Sequence, residues 1–247
     1  MARTKGIEVG ILASTSMRGE EAGRRFLQLL IAEAPQYAPE RYSDHEPIKL
    51  SFDPINLDRA LQCWKTSFLW RGKPSSVWGG AYIGFHQVHD SVVLRLPASA
   101  LDVATLRHLW RVMDHAFGVD LAFIHVRTEV DTTDVEHYKE HLMPFQTLNT
   151  HHLRQGLPDF PWAMLFGRPY VELFGRERLL QTSAARVEAI GDGVYIQLTD
   201  DPTDVAKKRE EYLAVQQATK AYLNSNAFRG MSANGQYSVP EFFLVAC

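Results

Sequence analysis

Gly191-Asp192-Gly193 is the strongest turn signal in the chain. Strand-forming runs flank it, Ala185 to Ile190 and Val194 to Leu198. Glycine supplies the positive φ that a tight connection needs, so the two runs are predicted to fold back as an antiparallel hairpin. A second pair lies upstream. Val77 to Phe85 and Ser91 to Leu96 read as strands joined by a polar turn, His86 to Asp90. The glycines at Gly79 and Gly80 suggest close backbone packing there. Strands that come in adjacent pairs do not follow the strict strand–helix alternation of a parallel sheet. The predicted class is α+β, a mostly antiparallel sheet packed with helices. It is read as one compact domain over residues 1–247, or two intimately packed halves with an internal boundary near 149–156.

The remaining elements follow from periodicity. Ile7 to Ala13 reads as a strand. Glu20 to Ala34 reads as a helix with Ala22, Phe26, Leu29 and Leu30 on one face, ended by Pro35. A polar loop to about Pro47 and a short helix over Leu57 to Trp64 come next. Ser99 is the predicted cap of a helix whose Leu106, Leu109, Trp110, Met113 and Phe117 fall at helical spacing, with Gly118 as its stop. Leu121 to Val126 reads as a strand and Thr133 to Leu142 as a helix. Trp162 to Phe166 is a short strand, followed by helical turns at Tyr170 to Phe174 and Glu177 to Leu180. Asp201-Pro202 is expected to open the last long helix, with Val205, Tyr212, Val215 and Tyr222 along one seam. Glu241 to Val245 is a candidate edge strand.

Composition narrows the function classes. Of 247 residues, 26 are basic and 29 acidic, a formal charge of -3. A protein that grips phosphate backbones carries a basic excess, so duplex binding is disfavoured. Cys63 and Cys247 are too few for a secreted disulfide framework. The apolar run Ile7 to Ala13 is too short for a signal peptide or a membrane span. The expected location is a reducing cytoplasm, with no membrane and no nucleic acid as partner.

The sharpest catalytic match is His137-Tyr-Lys-Glu-His141, the H-x-x-E-H spacing of a zinc hydrolase. On a helix His137 and His141 share a face and can both reach a metal. Glu140 could then activate water, and Glu210 or Glu211 could complete the site. Three fixed positions recur by chance among ten histidines, and the polar segment also reads as a solvated helix. His86 with His89, and His151 with His152, read as exposed turn and loop pairs. Cys63 sits in an apolar run and reads as a small packed hydrophobe. No catalytic residue, metal or cofactor is assigned.

Leu165-Phe-Gly-Arg168 recurs as Leu173-Phe-Gly-Arg176. Arg168 and Arg176 could grip phosphate, with Phe166 and Phe174 as stacking platforms. Alternatively Gly167 and Gly175 punctuate short elements, and the aromatics face a core. The charge balance favours the second reading. The run Gly156-Leu-Pro-Asp-Phe-Pro-Trp-Ala-Met-Leu-Phe-Gly-Arg-Pro-Tyr-Val-Glu-Leu-Phe-Gly-Arg-Glu-Arg-Leu180 carries a resemblance, with Val194-Tyr-Ile-Gln-Leu-Thr-Asp-Asp201 and Asn226-Ala-Phe228 after it. It resembles immunity protein 52, a family of polymorphic-toxin immunity proteins. The strand Trp78 to Gly84 is compatible with that family.

The resemblance implies a cytoplasmic antidote to a toxin delivered by a type VI or similar secretion system, typically a DNA-cutting toxin of restriction-endonuclease fold. It implies a protein partner, no enzymatic activity and no cofactor. Inhibition would work by occlusion or by disrupting the toxin's active assembly, and a homodimer is compatible with it. A nuclease presents a cationic groove, which acidic side chains can meet. The candidate partner interface is Glu129, Asp131 and Asp134, together with Asp200, Asp201 and Asp204. Ser43 to Glu46 is a weaker third segment.

Overall fold

The computed structural model describes residues 4–73, 76–84, 88–129, 148, 150–229, 231 and 236–242. These residues fall into two units, one of 9–119 and one of 120–242 with residues 4–8. The predicted helix over Thr133 to Leu142 lies outside the described residues. So does most of the predicted strand Glu241 to Val245, whose first two residues are irregular.

In the 9–119 unit the chain leaves strand β1 (Thr4–Ala13) for helix α1 (Glu20–Glu33). Pro35 follows where the helix stops. Strands β2 (Arg41–Ser43), β3 (Leu50–Ser51), β4 (Ser67–Arg71), β5 (Trp78–Tyr82) and β6 (Asp90–Leu96) are interrupted by the short helix α2 (Asp58–Leu61). Helix α3 (Val103–Phe117) closes the unit. The expected cap Ser99 lies in a 3-10 turn instead. Asp102 takes the role, its carboxylate accepting from the Thr105 backbone N–H at 3.0 Å.

One face of this sheet packs on aromatics. Phe68 and Trp70 alternate with Leu69 along β4, and the Phe26 ring of α1 lies 6.0 Å from Trp70. Trp64 lies 5.3 Å from both Phe26 and Phe68. Both indoles are anchored: Trp64 donates to the Met17 carbonyl at 2.8 Å and Trp70 to that of Tyr37 at 2.9 Å. Glycine is required opposite them, because a Cβ on Gly79 would stand 1.9 Å from the Trp70 ring. The buried face of α1 comprises Gly23, Phe26, Leu27 and Leu30, while Ala22 and Leu29 are half-buried. Trp64 seated over Gly23 accounts for this rotation from the expected stripe.

The opposite face is set by strand register. Arg41 pairs with Arg71, Arg71 with Trp78, and Trp78 with Arg95, one row across β2, β4, β5 and β6. The next row is Ser43, Leu69, Gly80 and Val93. Leu69, Trp78 and Val93 cluster there with Ile48, and Tyr82 packs against them.

The second unit contains β7 (Val119–Thr128), α4 (Thr150–Leu153), β8 (Ala163–Phe166), α5 (Arg168–Phe174) and α6 (Arg176–Leu180). The expected hairpin follows as β9 (Arg186–Ile190) and β10 (Gly193–Gln197), paired antiparallel from Gly193–Ile190 to Gln197–Arg186. Helices α7 (Asp204–Lys207) and α8 (Arg209–Asn224) then replace the single helix expected from Asp201. The strands pair in the order β3-β2-β4-β5-β6 in the first unit and β7-β8-β10-β9 in the second, and every pair with a described register is antiparallel. The α+β expectation agrees with this.

Phe160, Phe166, Tyr170, Phe174 and Phe228 form the aromatic core here, with ring centroids 5.4–6.4 Å apart in contacting pairs. Burying each ring contributes roughly 1.5–3 kcal/mol before entropy is counted. The inner seam of α8 is unexpected. Tyr212, Gln216, Thr219, Lys220 and Leu223 are buried, whereas Val215 is half-buried and Tyr222 is exposed. The polar members are held specifically. Lys220 reaches Asp159 at 2.7 Å, and the Gln216 amide donates to the Phe160 carbonyl at 2.6 Å.

Candidate functional site

The repeated Leu-Phe-Gly-Arg stretch is structural. Gly167 precedes α5, Pro169 occupies its first turn, and Gly175 takes a φ of 85° between α5 and α6. Phe166 and Phe174 are buried against each other at 5.4 Å. They offer no platform to a base. Arg168 pairs with Glu172 at 2.9 Å along its own helix. Arg176 donates to the Asp192 carbonyl at 2.7 Å, tying α6 to the hairpin turn.

Just beyond that hairpin the chain forms a rigid acidic corner. Trp162 donates to the Thr199 hydroxyl at 2.9 Å, and that hydroxyl donates to the Asp201 carbonyl at 3.1 Å. Gln197 donates to the Thr199 carbonyl at 2.9 Å. Asp201 accepts from the Thr203 backbone N–H at 2.7 Å, and its proximity to Thr203 holds its carboxyl below the usual range. This is an Asx turn, a local link that fixes the loop. Asp204 is partly buried and pairs with Lys208 at 3.3 Å, one turn along the chain. Asp200 is exposed, and its carbonyl rather than its carboxylate serves the fold.

A cleft of about 370 Å³ opens at this corner, between the loop before β9 and the first turns of α8. Asp200, Asp204 and Glu211 line it, with Lys208, Tyr212 and Val215. Of the three predicted aspartates, Asp200 projects freely. Asp201 and Asp204 are tied into the fold. Glu211 joins the rim because α8 starts there. Sequence spacing gives no sign of that, since eight residues and a helix break separate it from Pro202.

Glu129, from the other predicted patch, follows β7 and pairs with Lys5 at 3.2 Å. Asp131 and Asp134 lie outside the described residues, as do His137, Glu140, His141 and His86. Glu210 and Glu211 are exposed, and no cluster of three metal-binding side chains occurs among the described residues. His89, expected at an exposed tip, is buried. His151 and His152 lie on α4 rather than in a loop. Cys63 is half-buried, and burial pushes its thiol up. Among the described residues no helix is long and apolar enough to cross a membrane.

The fold defined here is an antiparallel α+β sheet protein with an acidic cleft. Its architecture is similar to that of a solved Pseudomonas aeruginosa T6SS protein, PA0821. The similarity has a TM-score of 0.50 at 13% identity and covers 96% of this chain and 79% of that one. At that identity it speaks to fold alone. No protein-family model and no curated protein matches the chain.

Proposed function

We propose that the chain is an immunity protein, an inhibitory binder that neutralises a toxin of a type VI secretion system in the cytoplasm and itself transforms nothing. The observation that carries this reading is the fold shared with a T6SS protein over nearly the whole chain. The motifs resembling immunity protein 52 over Gly156 to Phe228 support it. The finer proposal is that the toxin is a DNA-cutting nuclease of restriction-endonuclease fold, covered or disassembled through the acidic corner. A rim bearing Asp200 and Glu211 complements a cationic groove and would steer encounter with it. The loop's internal hydrogen bonds support such a role, because a pre-ordered surface loses little entropy on docking.

The test is co-expression with the toxin encoded beside this gene, scored by survival, together with association kinetics of the purified pair. Asp200→Lys with Glu211→Lys is expected to slow association about tenfold or more at low salt while leaving the fold intact. Unchanged association would remove the acidic corner from the interface. Cells dying equally with and without the chain would remove the immunity role.

A further inference from the structure

The acidic cleft has an apolar floor as well as a charged rim. We propose that it receives one arginine side chain of the partner protein, and that apolar side chains of the same segment continue along the adjoining flank of α8. The proposal rests on the inhibitory-binder reading above and names the chemistry that the binder grips.

Leu198, Tyr212 and Val215 give the cleft carbon surface, faced by Ala184 and Ala185 from the loop before β9. Leu198 and Tyr212 are buried and Val215 is half-buried. On the rim, the Lys208 ammonium is already paired with Asp204 at 3.3 Å. Asp200 and Glu211 are exposed, and their carboxylates make no ion pair among the described residues. An apolar trough beneath two unmatched carboxylates matches a side chain with a long carbon stem and a cationic head. Arginine matches it better than lysine. Its planar fork carries five N–H donors, enough for two carboxylates at once, and it is the more weakly hydrated cation. The cleft, about 370 Å³, has room for one such side chain. A bare metal ion does not match, because the acidic side chains do not converge as metal ligands among the described residues. The same carboxylates repel a phosphate backbone.

The surface next to the cleft extends this site. Glu211, Val215, Ala218 and Tyr222 follow at steps of four, three and four, so they share one flank of α8. Ala218 is exposed, and Tyr222 is 45% exposed. Beyond Glu211 the one charged side chain of α8 is Lys220, and it is buried against Asp159. The flank therefore stays uncharged from the cleft to Tyr222, a run of about 16 Å at the helical rise. Carboxylates at one end, with apolar surface and an accessible tyrosine beyond, resemble the charged rim and apolar centre of a protein interface.

The probe is a short fluorescent peptide with one arginine followed by leucines at helical spacing, titrated into the full chain and followed by anisotropy. Its controls carry citrulline or lysine in place of arginine. The arginine peptide is expected to bind about tenfold or more tightly than the citrulline peptide. Val215→Phe fills the cleft without changing a charge and should weaken the arginine peptide as much. Ala185→Leu fills it from the other wall and gives the same result should Val215→Phe fail to fold. In the toxin complex Val215→Phe is expected to raise the dissociation rate about tenfold and leave association unchanged. No binding, equal binding by either control peptide, or undiminished binding to both filled clefts would each overturn the proposal. So would self-association of the wild type that Val215→Phe abolishes. If Asp200→Lys with Glu211→Lys slows toxin association while Val215→Phe leaves dissociation unchanged, the arginine anchor falls and the acidic corner stands. If neither variant affects the toxin, both fall.

Discussion

Replacing Gly23 with alanine sets two known effects against each other. Gly23 lies in the body of α1, where alanine is favoured by about 1 kcal/mol. An exposed site would gain that amount. Here the added Cβ would meet Trp64 Cγ at 2.6 Å, Cδ1 at 2.7 Å and Cδ2 at 2.8 Å. Carbon atoms rest about 3.5–4.0 Å apart, so the indole must retreat by roughly 1 Å. It has little room. Phe26 and Phe68 each hold its ring at 5.3 Å, and its N–H is bonded to Met17 at 2.8 Å. Overpacking costs about 1–3 kcal/mol and a weakened buried hydrogen bond about 1 kcal/mol more. The net loss is about 1–3 kcal/mol, a fall in Tm of about 3–9 °C for a chain of this size. Thermal unfolding followed by near-ultraviolet circular dichroism measures it directly. Trimming the ring in Gly23→Ala with Trp64→Phe should cost less than the two single changes summed. A Tm at or above wild type for Gly23→Ala would refute the steric argument and show that helix propensity wins.

Two titration-linked outcomes follow from the α3 entrance. Asp102→Ala removes the acceptor for the Thr105 N–H and hydroxyl, which should cost about 1 kcal/mol at neutral pH in a chemical melt. The Asp102 carboxyl is held down chiefly by the Thr105 backbone N–H. Its stabilisation is therefore present above the ordinary carboxylate range and fades as pH falls through the lowered value, so wild type and variant should converge in acid. Tyr37 donates to the Ala100 carbonyl at 3.0 Å and accepts from the Asp102 N–H at 2.9 Å, and burial pushes its hydroxyl up to about 12. The protonated phenol stabilises the fold fully below the unfolded value of about 10, and that contribution is lost as pH rises from there toward about 12. Tyr37→Phe should flatten this alkaline limb, and an unchanged limb would assign it to another group.

The parts of the fold legible in the sequence were those whose signals are local. The β9–β10 hairpin is written in Gly191 to Gly193, and α3 in an unbroken apolar stripe. Strands β2 and β4 escaped because β2 has three residues and is framed by charge. The polar seam of α8 escaped for a different reason. Gln216, Thr219 and Lys220 look solvated until the fold supplies Phe160's carbonyl and Asp159. Ser99 was the expected cap, and the 3-10 turn before α3 passes that role to Asp102. At the acidic corner Asp200 was legible. The engagement of Asp201 and Asp204 depends on loop geometry, and Glu211 arrives through a helix start. The arginine row depends entirely on register, which no periodicity encodes.

The outermost strands carry a last implication. A bare strand edge invites a neighbouring molecule to zip onto it. Here β3 is only Leu50 and Ser51, too brief to template such growth. Along β9 the outward side chains include Arg186 and Glu188, paired at 3.7 Å, and any stacked copy would have to strip them of water. Molecules of this chain brought together at high concentration therefore have no long bare edge on which to fibrillise.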